Sequence, residues 1–339
     1  MNRRVLLMTV LAAACAKSSL VAAQTRQAGS LGGGVNISGL EFNPNRLPGR
    51  LDVDYVAPQP DEIAYYRAAG ARVLRIPFLW ERLQPNLDGP FEPNYTALLD
   101  SAIADARGLH VILEAHQFGR RQMNGANLVI GEHPALPARS FASLWGRLAN
   151  KYQSNPSVVF GLQNEPHDQN TDVLVAVQNQ AIAAIRAVDA RRLILVSGNA
   201  WSGAHSWASS GNAAAMLGIR DPANNFAFDA HQYLDRDSSG VGDACVSGAG
   251  RRLASFTTWA RAHGKRGFLG EFGGGANDVC DSELEILLGE LNANADVWLG
   301  WTCWGGGAWW PENYPLRLAP ISSPHPVDRP QMRVLRRYF

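Results

Sequence analysis

Short apolar runs alternate with longer amphipathic segments from Gly34 onward, and this alternation restricts the fold more than any other feature of the chain. Eight runs are strand candidates: "GVNISGLE" from Gly34, "ARVLRIPF" from Ala71, "HVILEAH" from His110, "VVFGLQNE" from Val158, "LILVSGN" from Leu193, "FAFDAHQY" from Phe226, "GFLGE" from Gly267 and "VWLGWTCW" from Val297. Between them, segments such as "DEIAYYRAAGA", "YTALLDSAIADARG", "SFASLWGRLANKY", "TDVLVAVQNQAIAAIRAV", "LASFTTWARAHG" and "SELEILLGEL" repeat apolar residues at steps of three and four. That is the period of a helix with one buried face. Asp61, Ser140 and Asp281 stand where N-caps belong. Repeated strand–helix units build a parallel sheet, and eight of them is the number that closes a (β/α)8 TIM barrel. A doubly wound open sheet is the alternative, but no G-x-G-x-x-G follows the first strand, so its dinucleotide-binding form has no support.

The chain has 339 residues, 46% of them hydrophobic, which suits one domain with a large core. No internal repeat, low-complexity tract or Ser/Thr/Pro-rich linker interrupts it. The first 23 residues read as a signal peptide. Arg3 and Arg4 supply the positive end, Val5 to Ala14 an apolar stretch too short to span a bilayer, and Val21-Ala22-Ala23 a small-residue cleavage site. Cleavage near Ala23 implies a secreted or periplasmic protein. Cys15 is a rival lipid-attachment site, but the usual aliphatic residue three places before it is missing. Residues 24–33 read as a flexible leader, and the barrel is expected over 34–339. Two long segments, 117–139 and 305–328, follow strands three and eight, on the face where barrel active sites are built.

Arg3, Arg4 and Lys17 carry the only charges in the signal segment, so its removal takes the net charge from +1 to about −2. Such a surface gives no electrostatic reason to expect nucleic acid or an anionic membrane as a partner. Three cysteines remain, Cys245, Cys280 and Cys303, without the Cys-x-x-Cys or His-pair spacing of a zinc site. In an exported chain they allow one disulfide and one buried thiol.

Under the barrel reading, unusual polar residues gather at the carboxyl ends of strands. They are Arg75 on strand two, His116 on three, Asn164 and Glu165 on four, His231 and Tyr233 on six, and Glu271 on seven, with Trp304 on eight. Each taken singly also suits a structural role, as an ion-pair partner, a satisfied histidine or a packed aromatic ring. Their collection on one face points to a site. A carboxylate after the apolar run Val158-Val159-Phe160 is costly to desolvate unless it is used. Glycoside hydrolysis needs such a group to protonate the leaving oxygen and a second to attack the anomeric carbon or activate water. Glu165 and Glu271 could face each other across part of the barrel mouth, and Asn164 could reach a sugar 2-hydroxyl.

"GLQNEPHD" at 161–168 together with "LGEFGG" at 269–274 resembles glycoside hydrolase family 5, the cellulase family of retaining TIM-barrel glycosidases. The likeness runs from "GVNISGLEF" to "LGWTCWGGGAWWPENY", nearly the whole mature chain, and is nearest to secreted endo-β-1,4-glucanases. It implies an acid/base role for Glu165 and a nucleophile role for Glu271. It implies substrate-site roles for Arg75, His116, Asn164, His231, Tyr233 and Trp304, and for Trp201 in "SGNAW". It further implies that Arg75 keeps the nucleophile ionised, that Tyr233 donates to Glu271, that His231 positions Glu165, and that Cys245 pairs with Cys280. No cofactor and no metal are implied; the expected partner is a β-glucan, and the expected state a monomer. The same machinery serves β-mannanases and mixed-linkage β-glucanases. A non-catalytic carbohydrate-binding barrel would keep the cleft but typically lose a carboxylate. Glu114-Ala115-His116-Gln117-Phe118 departs from the subgroup's usual Asp-x-His-Asn-Tyr, which bears on substrate preference. Of the ten tryptophans, Trp201, Trp207, Trp309 and Trp310 are expected in loops, and Trp145 and Trp259 in the outer packing.

Overall fold

A computed structural model describes residues 30–321 and 326–339. Eight parallel strands close into a barrel. They are β1 (Gly32–Ile37), β2 (Val73–Phe78), β3 (His110–Ala115), β4 (Val158–Gly161), β5 (Ile194–Ser197), β6 (Phe226–Tyr233), β7 (Gly267–Gly273) and β8 (Trp298–Gly306). Each pairs with its neighbours in chain order, and β1 closes against β8. The helices around it are α1 (Pro60–Ala69), α2 (Pro93–Asp105), α3 (Ala138–Tyr152), α4 (Thr171–Arg186), α5 (Ala254–Ala262) and α6 (Asp278–Ala293), while short turns link β5 to β6. The eight-strand alternation expected from the sequence is the fold.

The leader is shorter than expected. Strand β1 begins at Gly32, and buried Leu31 donates its backbone N–H to Leu299 O at 2.7 Å, so residues 30–33 belong to the barrel. Glycine-rich sequence conceals the start of the strand, and here the barrel needs it: a Cβ on Gly33 would sit 2.2 Å from the ring of Trp301 on β8. The signal peptide expected over 1–23, Cys15 and residues 24–29 lie outside the described residues.

The expected N-caps also moved. Pro60 starts α1 ahead of Asp61, because its fixed φ suits the first helical position. Ala138 starts α3 ahead of Ser140, whose hydroxyl donates to Asp88 at 2.8 Å. Asn277 caps α6 by accepting from Cys280 N at 3.0 Å, leaving Asp281 inside the helix. The 117–139 segment is not plain loop; it carries a hairpin of Arg120–Met123 and Ala126–Val129.

Inside the barrel, Leu31, Val73, Ile112, Val159, Leu195, Ala227, Phe268 and Leu299 form one apolar plug, a residue from or beside each strand. A larger core lies between barrel and helices. Trp145 and Trp259 pack there as expected. Trp207, from a turn as expected, packs there too, against Phe228, Phe256 and Trp259. Cys245 and Cys280 are bonded, with Cα atoms 5.0 Å apart, and Cys303 is a buried free thiol.

Candidate active site

Side chains two residues apart on a strand share a face, so the layer above the apolar plug falls two places further along. Arg75, Glu114, Ser197 and Asp229 occupy it, with Gly161 and Gly270 between them, and the polar residues are buried. Burying charges at a barrel mouth is costly unless they satisfy one another. Arg75 is the hub. Its Nη1 donates to Glu271 Oε1 at 2.7 Å and to Asn36 Oδ1 at 2.8 Å. Its Nη2 donates to Asn164 Oδ1 at 2.8 Å and lies 3.3 Å from Glu114 Oε2.

The next layer holds His231, Glu271 and the groups around them. Strands β6 and β7 pair Ala230 with Leu269 but His231 with Glu271, so Gly270 is an extra residue in a bulge. A bulge re-aims the side chains that follow it, and here it sets His231 and Glu271 side by side. The carbonyl of Gly270 accepts from Asn36 Nδ2 at 2.9 Å and from Thr302 Oγ1 at 2.6 Å, which fixes the bulge. Tyr233 donates its hydroxyl to Glu271 Oε2 at 2.7 Å. Burial alone would raise the Glu271 carboxyl, but the His231 and Arg75 cations and the Tyr233 hydroxyl hold it down, to about 2.

Glu165 comes from the β4 exit, where Asn164 still bonds to the barrel through its N–H to Ala115 O at 3.0 Å. Glu165 then turns into the left-handed region, φ 40°, immediately before Pro166, a conformation few residues with a Cβ hold. Its Oε1 lies 2.7 Å from His231 Nδ1. Burial pushes this carboxyl up, the His231 contact pulls it back, and the Glu271 charge pushes it up again. For His231, burial acts downward, but Glu271, Asp229 and Glu165 push it up to about 10. A charged imidazolium donating from Nδ1 to Oε1 leaves Oε2 as the place for the Glu165 proton. Glu165 is thus pushed toward the acid form and Glu271 toward the anion.

His116 lies 2.9 Å through Nδ1 from Glu114 Oε2. Asn164 Oδ1 is taken by Arg75, so its amide nitrogen faces His116 Nε2 at 3.3 Å, and Nε2 accepts. The proton of His116 is thus on Nδ1, donated to Glu114. Trp304 stacks on the His116 ring, 5.7 Å away and 15° from parallel, and donates Nε1 to Tyr314 Oη at 3.1 Å. A cleft of about 470 Å³ opens above His116, Asn164, Glu165, Tyr233, Glu271 and Trp304, walled by Tyr314 and Val241 from loops. Arg75 and His231 lie beneath it. Trp201 stands outside, 48% exposed, stacked on His167 at 4.6 Å and 8°. Residues 200–202 are all left-handed, and Trp201 N–H is tied to Pro166 O at 3.0 Å, so the ring is held as a plate beside the Glu165 turn. Trp310 is half-buried, edge-on to Trp304 and stacked on Tyr314, and Trp309 is exposed.

Glu165, His231 and Glu271 offer ligand atoms within 4.8 Å of one another, the one cluster with metal-ligand geometry among the described residues. Arg75 and Tyr233 already occupy both oxygens of Glu271, and the guanidinium charge opposes a cation there. The donor set suits proton transfer. Asn36 and Asp229 belong to the network but were not singled out in the sequence, and Glu114 was noted there only as a departure that bears on substrate preference. The two-residue period linking Glu114 to His116 and Asp229 to His231 was the available signal.

Comparison with known proteins agrees with this geometry. Residues 34–307 match the family model described as cellulase, glycosyl hydrolase family 5. The endo-beta-1,4-glucanase B of Emericella nidulans is 36% identical over 320 residues, 92% of this chain and 93% of the relative. An endo-beta-1,4-glucanase from Xanthomonas axonopodis pv. citri is 42% identical, with a TM-score of 0.86 over 91% of this chain and 98% of its own. XacCel5A, solved in complex with cellopentaose, is 40% identical, with a TM-score of 0.87 over 91% and 99%.

Proposed function

This chain belongs to the cellulase family, glycosyl hydrolase family 5, and on that premise we propose that it is a secreted endo-β-1,4-glucanase that cleaves with retention of configuration. The observation that carries the reading is the pair Glu165 and Glu271. Oxygens of the two lie within 4.8 Å of each other at one cleft, which supports a direct nucleophile over a pair that holds a water between them.

In the first step, Glu271 attacks the anomeric carbon while Glu165 gives its proton to the departing glycosidic oxygen, and a glycosyl ester forms on Glu271. In the second, Glu165, now a carboxylate, takes a proton from water, whose oxygen displaces Glu271. Arg75 and Tyr233 hold Glu271 ionised and aimed through one bond to each oxygen. His231 holds Oε1 of Glu165 so that Oε2 can deliver and recover the proton. Trp304 offers a flat apolar face to a sugar ring, and the second amide N–H of Asn164, beside Glu165, suits a 2-hydroxyl. Trp201 would stack on a sugar further along the chain. The hydrolysed partner is a soluble or amorphous β-glucan.

Replacing each glutamate by alanine separates the roles on an aryl cellobioside with a good leaving group. Glu165→Ala can still form the ester, because the aryl oxide leaves unprotonated. It should show a burst, and azide should restore turnover and give a β-glycosyl azide. Glu271→Ala forms no ester and should show neither. A burst and β-azide product from Glu271→Ala instead would reverse the assignment.

A further inference from the structure

Asp229 is a buried carboxylate that the mechanism above does not use. It sits on β6 two residues before His231, and neither of its oxygens has a hydrogen-bond partner within reach among the described residues. His231 Nε2 is likewise without one, and the nearest acidic atom is Asp229 Oδ2 at 3.8 Å. An isolated buried carboxylate is strongly unfavourable, so the fold keeps it only where a neighbouring cation answers it. The backbone is shaped around it. A Cβ on Gly270, the bulged residue, would lie 2.0 Å from Asp229 Oδ1, so the absence of a side chain there opens the space the carboxylate fills.

We propose that Asp229 is a positioning residue for Glu165, acting through His231: it keeps a proton on Nε2 and the ring charged, so that Nδ1–H faces Glu165 through both halves of the cycle. This inference rests on the acid/base reading of Glu165. The groups facing His231 are few. Glu165 comes from the β4 exit, Glu271 from β7 and Asp229 from β6 itself. The turn packed along β6 brings His205, which is held by Gln232. Arg75 from β2 reaches Glu271 and not the imidazole. Glu165 and Glu271 change charge during turnover: one loses a proton and the other becomes a neutral ester. Asp229 is the neighbour that takes no part in the bond changes, which is what a fixed tautomer requires.

The test is Asp229→Asn, which keeps shape and removes charge, in the otherwise unchanged protein. With Asp229 neutral, His231 gives up its second proton at lower pH, and the glutamates are not raised, because removing an anion favours ionisation. The basic limb of the kcat/KM profile on an aryl cellobioside should move to lower pH, by about one unit, with KM changed less than about twofold. In a His231→Asn background the same substitution should leave the profile unmoved. Limbs that superimpose on the unsubstituted protein, whatever the loss of rate, overturn the proposal, as does an equal shift in the His231→Asn background. Should Asp229→Asn fold poorly, the imidazole nitrogen spectrum of the unsubstituted protein decides the matter. Nε2 should stay protonated between about pH 5 and pH 8, and a deprotonated Nε2 overturns the assignment. Azide rescue of Glu165→Ala involves no change at Asp229. Rescue with an unmoved profile removes this inference alone, whereas absence of rescue removes the reading beneath it.

Discussion

Tyr233→Phe removes one hydroxyl from the site and leaves the ring that packs against Trp304 and Leu316 in place. That hydroxyl is one of two donors to Glu271, at 2.7 Å from Oε2, in a pocket from which water is largely excluded. A hydrogen bond to a buried charge contributes about 1.5–3 kcal/mol. At 1.36 kcal/mol per pKa unit, losing it should raise Glu271 by about one to two units. Arg75 and His231 remain, so a carboxyl held at about 2 should rise to about 3 or 4 and still ionise below neutrality. In the proposed mechanism Glu271 attacks only as an anion. Activity is therefore present above its pKa and lost as pH falls through it, and raising that value moves the acid limb of kcat/KM upward. The profile should be measured on a soluble aryl cellobioside, with thermal melts at each pH to exclude unfolding. Tyr314→Phe is the control, since its hydroxyl meets Trp304 Nε1 and not a carboxylate. An acid limb that stays in place in Tyr233→Phe, or moves equally in Tyr314→Phe, would refute the electrostatic account of how the nucleophile is kept ionised.

Glu62 on α1 is buried, accepts from Gly307 N at 2.7 Å, and is pushed by burial up to about 7. The folded state thus binds its proton more tightly than the unfolded chain. Stability should fall as pH rises from about 4.5 to 7, by up to about 3 kcal/mol, and Glu62→Gln should flatten that slope in urea titrations. Replacing both Cys245 and Cys280 by alanine opens a 35-residue loop and should cost about 3–4 kcal/mol, read as a lower denaturation midpoint. The tryptophans should divide by burial. Trp207→Ala should destabilise by about 3–5 kcal/mol. Trp201→Ala should change stability by less than about 0.5 kcal/mol while raising KM on long oligosaccharides more than on cellobiosides.

The barrel was legible because its cause is local: each strand buries both faces, each helix buries one, and the two periods appear directly in the order of residues. Glu165, Glu271 and their companions were legible for a related reason, since charged and aromatic residues at the ends of buried strands break an apolar pattern. Element ends were less legible. Pro60 and Asn277 displaced Asp61 and Asp281 as helix starters because neighbouring residues compete for one cap, and the sequence does not rank them. Glycine at 32 and 33 hid the start of a strand whose need for glycine lies across the sheet, at Trp301. Trp207 and Trp201 look alike in sequence and ended at opposite extremes of exposure, since packing partners such as Phe228 and Phe256 come from distant strands and helices. The bulge at Gly270, the four contacts of Arg75 and the place of Asp229 behind His231 exist only once eight strands close in one register. By itself the sequence determined which residues could form a barrel and which chemistry its mouth could hold. Register, and with it which charge meets which, was decided by the tertiary structure, because hydrogen-bonded closure fixes distances that no single segment contains.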